Sequence, residues 1–244
     1  MFAPRVAVAS LSGESDAAWA RAAEPFVGAA FLGGIALDGP TREAARALVA
    51  RDRTEFIPAD PIAFIDRELA ALADADLRAA VNVRTTTLDP LRAAAAVCAD
   101  HDALIEVNAH CRQAEMCAAA AGETLLRDPE RLCEQVGAAH DAGAEVSVKV
   151  RAEVEGVDLS TLAAAVERAG AVALHLDAMD SEAVVADVRE ACDLFLVANN
   201  GVRDRATALE YLGHGADAVS VGRPSDNPAV LERVHAAVTG RVDA

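Results

Sequence analysis

The sequence predicts an α/β protein: a single (β/α)8 TIM barrel occupying residues 1–244. Three observations predict it. Eight short apolar β-like runs alternate strictly with Ala-rich helical stretches, and that order implies parallel strands joined by crossover helices. The 244 residues match one barrel with little left for a second domain. The first βα turn lacks G-x-G-x-x-G, which weakens a doubly wound, dinucleotide-binding alternative.

The predicted strands are Val6–Ala9, Ala29–Leu32, Ala80–Val83, Leu104–Val107, Val146–Val150, Ala173–Leu176, Phe195–Ala198 and Ala218–Val221. Each is short and apolar, as strands covered on both faces are. Between them the helical patterns are Asp16–Ala23, Thr41–Arg51 with Ile62–Ala73, Pro90–Ala99, Pro129–His140, Leu159–Ala169, Ser181–Ala191, Arg205–Leu212 and Asn227–Val238. Asp89-Pro90, Asp128-Pro129 and Asn227-Pro228 read as a cap residue before a first-turn proline. Gly143, Gly170 and Gly215 read as helix ends, each followed by Ala and then a strand. The segment Asp52–Pro61 is the longest irregular piece and reads as a loop or lid.

Composition narrows the function. Hydrophobic residues make up 53% and the net charge is −17, so the chain is globular and its surface repels nucleic acid and anionic membranes at ordinary salt. Plentiful Asp and Glu, few aromatics and one lysine suggest a protein of a very salty cytoplasm, where self-repulsion is screened over about 3 Å at molar salt. No apolar run reaches a membrane span and no basic start leads into a long apolar stretch, so a cytoplasmic location is expected. The five cysteines, Cys98, Cys111, Cys117, Cys133 and Cys192, are odd in number and read as reduced thiols. Cys98, Cys133 and Cys192 lie in helical patterns as core material. C-x5-C at Cys111 and Cys117 is poor zinc spacing, and no metal site is expected.

In such a barrel the chemistry lies at the C-terminal ends of the strands. Those ends carry Ser10-Leu11-Ser12-Gly13, Asn82 and Arg84, Asn108-Ala109-His110-Cys111, Lys149 and Arg151, His175 and Asp177, Asn199-Asn200-Gly201, and Gly222-Arg223. Lys149 stands out, because the chain has 21 arginines and no other lysine. A cation in so apolar a strand needs a carboxylate, a ligand or a cofactor as partner. Glycines directly after strands seven and eight, with helix starts beyond them, suit a phosphate, and Arg223 adds a charge-assisted contact. Cys111 is placed to serve as a nucleophile or proton donor, with His110 beside it.

These residues carry a family resemblance. Asn108-Ala109-His110-Cys111 followed by Thr124-Leu125-Leu126-Arg127-Asp128-Pro129 is similar to an N-x-G-C-P … L-L-[KR]-D-P stretch, and Val146–Arg151 to a V-T-V-K-[IV]-R strand. Ala198–Val202 resembles x-N-G-[DG]-I, and Gly215–Val219 with Gly222-Arg223 and Asn227-Pro228 resembles G-A-D-G-V … G-R … N-P. Together they resemble the tRNA-dihydrouridine synthase family of FMN-dependent barrel reductases, and most closely its barrel-only relatives without the helical tRNA-binding domain.

The resemblance implies FMN across the barrel mouth, held by Ser10, Leu11, Asn82, Lys149, Asp177, Asn199, Asn200, Gly201, Gly222 and Arg223. It implies Lys149 at the flavin N1/O2 edge and Cys111 as proton donor, with Asn108 and Arg151 toward the substrate. The implied reaction reduces the C5–C6 bond of a uracil-type ring, in tRNA or free, with NADPH or NADH as reductant. The chain also departs from the pattern: the family's strand-three glutamine is Asn82, its strand-six histidine falls at Asp177, and the Gly and Pro around its cysteine are His110 and Arg112. The acidic surface favours a flavin reductase over tRNA modification. Two other readings stay open: a phosphate-binding isomerase or lyase barrel using Lys149 and Asp177, and a non-catalytic metabolite-binding relative.

Overall fold

The computed structural model describes residues 1–178 and 180–240. Eight strands close into one barrel in chain order. They are β1 (Val6–Val8), β2 (Ala29–Ala36), β3 (Arg78–Arg84), β4 (Leu104–Asn108), β5 (Glu145–Arg151), β6 (Ala171–Asp177), β7 (Phe195–Asn199) and β8 (Ala218–Val221). All neighbours pair in parallel, and β8 returns to β1 with Val6 opposite Val219. The predicted (β/α)8 barrel is therefore the observed fold.

The outer layer consists of α1 (Ala17–Ala23), α2 (Gly39–Val49), α3 (Pro61–Ala70), α4 (Leu88–Asp100), α5 (Ala114–Ala118), α6 (Pro129–Asp141), α7 (Leu159–Arg168), α8 (Val184–Ala191), α9 (Arg205–Gly213) and α10 (Pro228–Thr239). The main core lies between strands and helices; Val83, Val107, Val148 and Leu176 meet Leu91, Val136 and Val166 there. A smaller cluster of Ala7, Ala29, Phe31, Ala80 and Leu104 forms separately.

Most boundaries move by a few residues. β2 runs on to Ala36 because the pairing with β3 shifts register between Gly33 and Ile35. Asp128 and Asn227 cap their helices as expected, accepting from Arg131 N and Ala229 N. Asp89 does not: α4 starts at Leu88 behind Thr87, so Asp89 sits inside its first turn. The short helix α5 and the 3-10 turn at Gly122–Arg127 were not expected. Cys192 lies just past α8 but is buried, as is Cys98; Cys133 is half-buried. Gly143, Gly170 and Gly215 adopt positive φ at helix ends. Among the described residues, no helix is long and apolar enough to cross a membrane.

Candidate active site

Lys149 is the centre of the mouth. Its place on β5, in register with Asn108 of β4 and His175 of β6, carries the side chain inside the barrel, where it is 3% exposed. Its ammonium donates one long hydrogen bond, 3.4 Å to Ser10 Oγ. Its three N–H donors therefore share one hydrogen-bond partner among the described residues. Burial lowers its pKa, while Glu106 and Asp177 pull it back up.

Beneath Lys149 lies a closed polar layer. Glu106 on β4 accepts from Asn82 Nδ2 (2.7 Å) and Ser147 Oγ (3.2 Å) and pairs with His175 Nδ1 (2.8 Å). His175 Nε2 meets Ser220 Oγ at 2.7 Å, and that hydroxyl reaches Asn199 Oδ1 at 2.9 Å. Burial works against the Glu106 charge, but His175 and Lys149 hold its pKa below the usual range. Sequence alone does not single out Glu106 as a site residue. Its signal was one carboxylate in the apolar run Leu104–Val107.

The geometry redistributes the two asparagines. Asn82 is wholly buried, with its amide on Glu106 and its carbonyl accepting from Asn108 Nδ2 at 2.8 Å. It braces the layer below the mouth. Asn108 Oδ1 accepts the backbone N–H groups of His110 (3.2 Å) and Cys111 (2.9 Å). One end of that carboxamide is thus tied to Asn82 on β3 while the other anchors the loop after β4.

That loop sends its two adjacent side chains apart. Cys111 packs into an apolar cluster with Ala36, Ala44, Ala45, Leu48 and Met116. His110 turns the other way, and its Nε2 lies 2.6 Å from Asp177 Oδ2 at the end of β6. Asp177 Oδ1 also accepts from Asn200 Nδ2 at 3.0 Å. Arg151 sits beside them, opposite Asp177 in register, and pairs with Glu123 at 3.1 Å. The structure thus gathers Ser10, Lys149, His110, Asp177, Asn200 and Arg151, and leaves Cys111 outside that set.

At the far rim, Asn200 and Gly201 both adopt left-handed backbone (φ 77° and 73°) after β7. Tyr211 Oη donates to the Asn199 and Asn200 carbonyls and fixes the turn from below. Gly222 follows β8 with open space where a Cβ would project. Arg223 is exposed next to it. Leu11 is half-buried, and its backbone is held by the Ser15 hydroxyl at 2.9 and 2.8 Å.

The irregular stretch 53–60 closes one side of the mouth. Glu55 forms a 2.7 Å ion pair with Arg84 of β3, with both side chains almost fully covered. Arg84 also reaches Ser12 Oγ. A surface depression of about 520 Å³ lies elsewhere, lined by Glu153, Ser181, Glu182, Glu210 and His214 among others, and holds none of the predicted site residues. Among the described residues, no group of three or more His, Cys, Asp or Glu side chains is placed to hold a metal ion.

The residues present fit FMN at two of three places. A buried ammonium with one long hydrogen bond among the described residues suits an electron-rich ring edge, and the open turn at Gly222 beside Arg223, with the left-handed turn at Gly201, suits a phosphate. The third place, Asn82, has both ends of its amide engaged within the barrel.

Fold and geometry together define a (β/α)8 barrel with a candidate site at its C-terminal rim around one buried lysine. The chain belongs to the dihydrouridine synthase family, whose sequence model matches residues 37–244. An uncharacterized protein of Methanocaldococcus jannaschii is 28% identical over 121 residues, covering 49% of this chain and 47% of that protein. The match therefore spans about half the length of that relative.

Among solved structures, morphinone reductase in complex with tetrahydroNAD is similar with a TM-score of 0.64 and 16% identity, covering 98% of this chain and 88% of that one. A tryptophan synthase complex from Pyrococcus furiosus gives 0.61 and 12%, covering 98% and 100%. A FabK mutant from Thermotoga maritima gives 0.59 and 15%, covering 89% of this chain and 60% of that one. Identities this low establish the shared barrel fold.

Proposed function

We propose that this protein is an FMN-dependent oxidoreductase that reduces the C5–C6 bond of a uracil-type ring, taking electrons from NADH or NADPH. The observation that carries the reading is Lys149: a buried ammonium at the mouth whose one hydrogen bond among the described residues is long. Family membership, the left-handed turn at Asn200-Gly201 and the open space beside Gly222 support it.

Bound FMN would supply hydride chemistry at the mouth. Lys149 and Ser10 would hold its ring edge, and Gly201, Gly222 and Arg223 its phosphate. Lys149 is kept in place by Glu106 and Asp177, which favour its charged form against the cost of burial. Arg151 projects from the same strand end and would meet the substrate's polar edge. The net charge of −17 disfavours a polyanionic substrate at ordinary salt, so a free pyrimidine base or nucleoside is the favoured substrate and tRNA the second.

The test is turnover in concentrated salt with NADH or NADPH, supplying uracil, uridine or an unmodified tRNA transcript. The expected product is the 5,6-dihydro ring, identified by mass spectrometry. A flavin-loaded protein that oxidises neither nicotinamide with any of the three would defeat the substrate assignment.

A further inference from the structure

The contact between His110 and Asp177 joins two positions at which the chain departs from the pattern it resembles. His110 stands where that pattern has glycine, and Asp177 where it has histidine. The structure brings them together across the mouth, from the end of β4 to the end of β6, at 2.6 Å. Asn200 donates to the other Asp177 oxygen and fixes the carboxylate's rotation. The His110 backbone is fixed in turn by Asn108. An imidazole held at both backbone and ring is oriented rather than merely present.

The ring's second nitrogen is the informative atom. With Nε2 on Asp177, Nδ1 has no hydrogen-bond partner among the described residues, and the side chain is 30% exposed. Nδ1 thus stays available to a ligand, whereas the Cys111 side chain lies in an apolar cluster between α2 and α5. Adjacent residues on this loop divide into one that faces the chemistry and one that faces the core.

We propose that His110 is the proton-transfer residue of this site, with Asp177 and Asn200 as its positioning residues. The inference rests on the oxidoreductase reading above. In the reductive direction the hydride equivalent and its two electrons, supplied through the nicotinamide-reduced cofactor, add to one carbon of the ring's C=C bond. The π pair moves to the neighbouring carbon and takes the proton from His110 Nδ1–H. The imidazolium becomes neutral imidazole, keeps its Nε2–H on Asp177, and regains a proton from solvent. In the oxidative direction neutral Nδ1 accepts that proton.

The charges around the ring set its pH response. Asp177 and His175 face it from β6, Lys149 and Arg151 from β5, and Glu123 pairs with Arg151. Burial lowers the imidazole's pKa first, Lys149 and Arg151 add to that, and Asp177 opposes it. The basic limb of the reductive reaction, on which His110 loses its proton, is therefore displaced to lower pH than for an ordinary imidazole, and kcat/KM falls as pH rises through it.

The experiment compares wild type, His110→Gln, Cys111→Ala and Asp177→Asn. Labelled-histidine NMR follows the His110 ring without cofactor: Asp177→Asn should move its titration to lower pH, because the carboxylate that favours the charged ring is gone. An unmoved titration would show that the dyad does not exist in solution. In turnover, His110→Gln should lower kcat by roughly a hundred-fold or more, retain bound flavin and lose the imidazole limb. Cys111→Ala should keep the limb. A limb that survives in His110→Gln and disappears in Cys111→Ala overturns the proposal while leaving the oxidoreductase reading intact. Protein that retains no flavin in any form overturns both.

Discussion

Glu106 Oε2 lies 2.8 Å from His175 Nδ1, and neither side chain has any exposed surface. Asn82 and Ser147 also donate to Glu106, and Ser220 meets His175 Nε2. A barrel centre normally filled by branched apolar side chains is here a charged layer directly below Lys149. A buried pair of this kind gains little over an apolar core, but breaking it leaves one group stranded. Glu106→Ala should therefore cost about 3–5 kcal/mol, read from urea denaturation. A loss below about 1 kcal/mol, the range of exposed pairs, would contradict the layer as described.

Glu55 and Arg84 make the second covered ion pair, and this one ties a loop to the barrel. Thr54 and Glu55 also press against Gly13, where a Cβ would meet Glu55 N at 2.6 Å. Glu55→Ala strands the Arg84 guanidinium. Its expected effect is a stability loss of roughly 3 kcal/mol with faster amide exchange across residues 53–60. Unchanged exchange in that stretch would mean that the loop is held by other contacts.

Asp38 links the start of α2 to the loop after β3. It caps Thr41 N at 3.1 Å and accepts from Thr85 Oγ1 at 3.0 Å and Thr86 Oγ1 at 2.7 Å. Burial opposes its ionisation, but hydrogen bonds from Thr41 and Thr86 win and hold its pKa at about 2. A depressed carboxylate stabilises the fold above its unfolded pKa near 3.9 and loses that contribution as pH falls toward the folded value. The contribution is on the order of 2 kcal/mol. Unfolding free energy measured against pH should fall between about pH 5 and 2, and Asp38→Asn should flatten that fall. An equally steep fall in the variant would assign the acid sensitivity elsewhere.

Gly122 holds the loop that carries His110 and Cys111. It adopts a left-handed backbone (φ 64°), and a Cβ there would run into the Cys111 carbonyl oxygen, which also accepts from Glu123 N at 2.9 Å. Gly122→Ala combines strain with a backbone collision. It should lower the melting temperature and reduce kcat together, because the loop after β4 is displaced. Full activity in this variant would show that the loop geometry is not needed for turnover.

How much of this was legible in sequence follows from the physics of each element. β-α alternation and the capping residues Asp128 and Asn227 are local signals, and the barrel follows from them. Lys149 was legible because one cation in an apolar strand has few explanations. Asn82 and Asn108 were legible as strand-end residues, but not in their orientation. Which way a carboxamide turns depends on Glu106, and that partner is long-range in sequence. The divergence of His110 and Cys111 depends on the apolar cluster with α2 and α5, and α5 itself is too short for a periodic pattern. The Glu55–Arg84 pair joins residues in different elements, so neither one signals it alone.

The central claim is that the mouth around Lys149 holds FMN. Its most direct test is the melting temperature of wild type and Lys149→Met in concentrated salt as FMN is added. For wild type the account predicts a yellow protein stabilised by about 2.7 kcal/mol when free FMN is a hundred-fold above its dissociation constant, with Lys149→Met needing much more FMN for the same shift. Colourless wild-type protein whose melting temperature does not respond to FMN would contradict it.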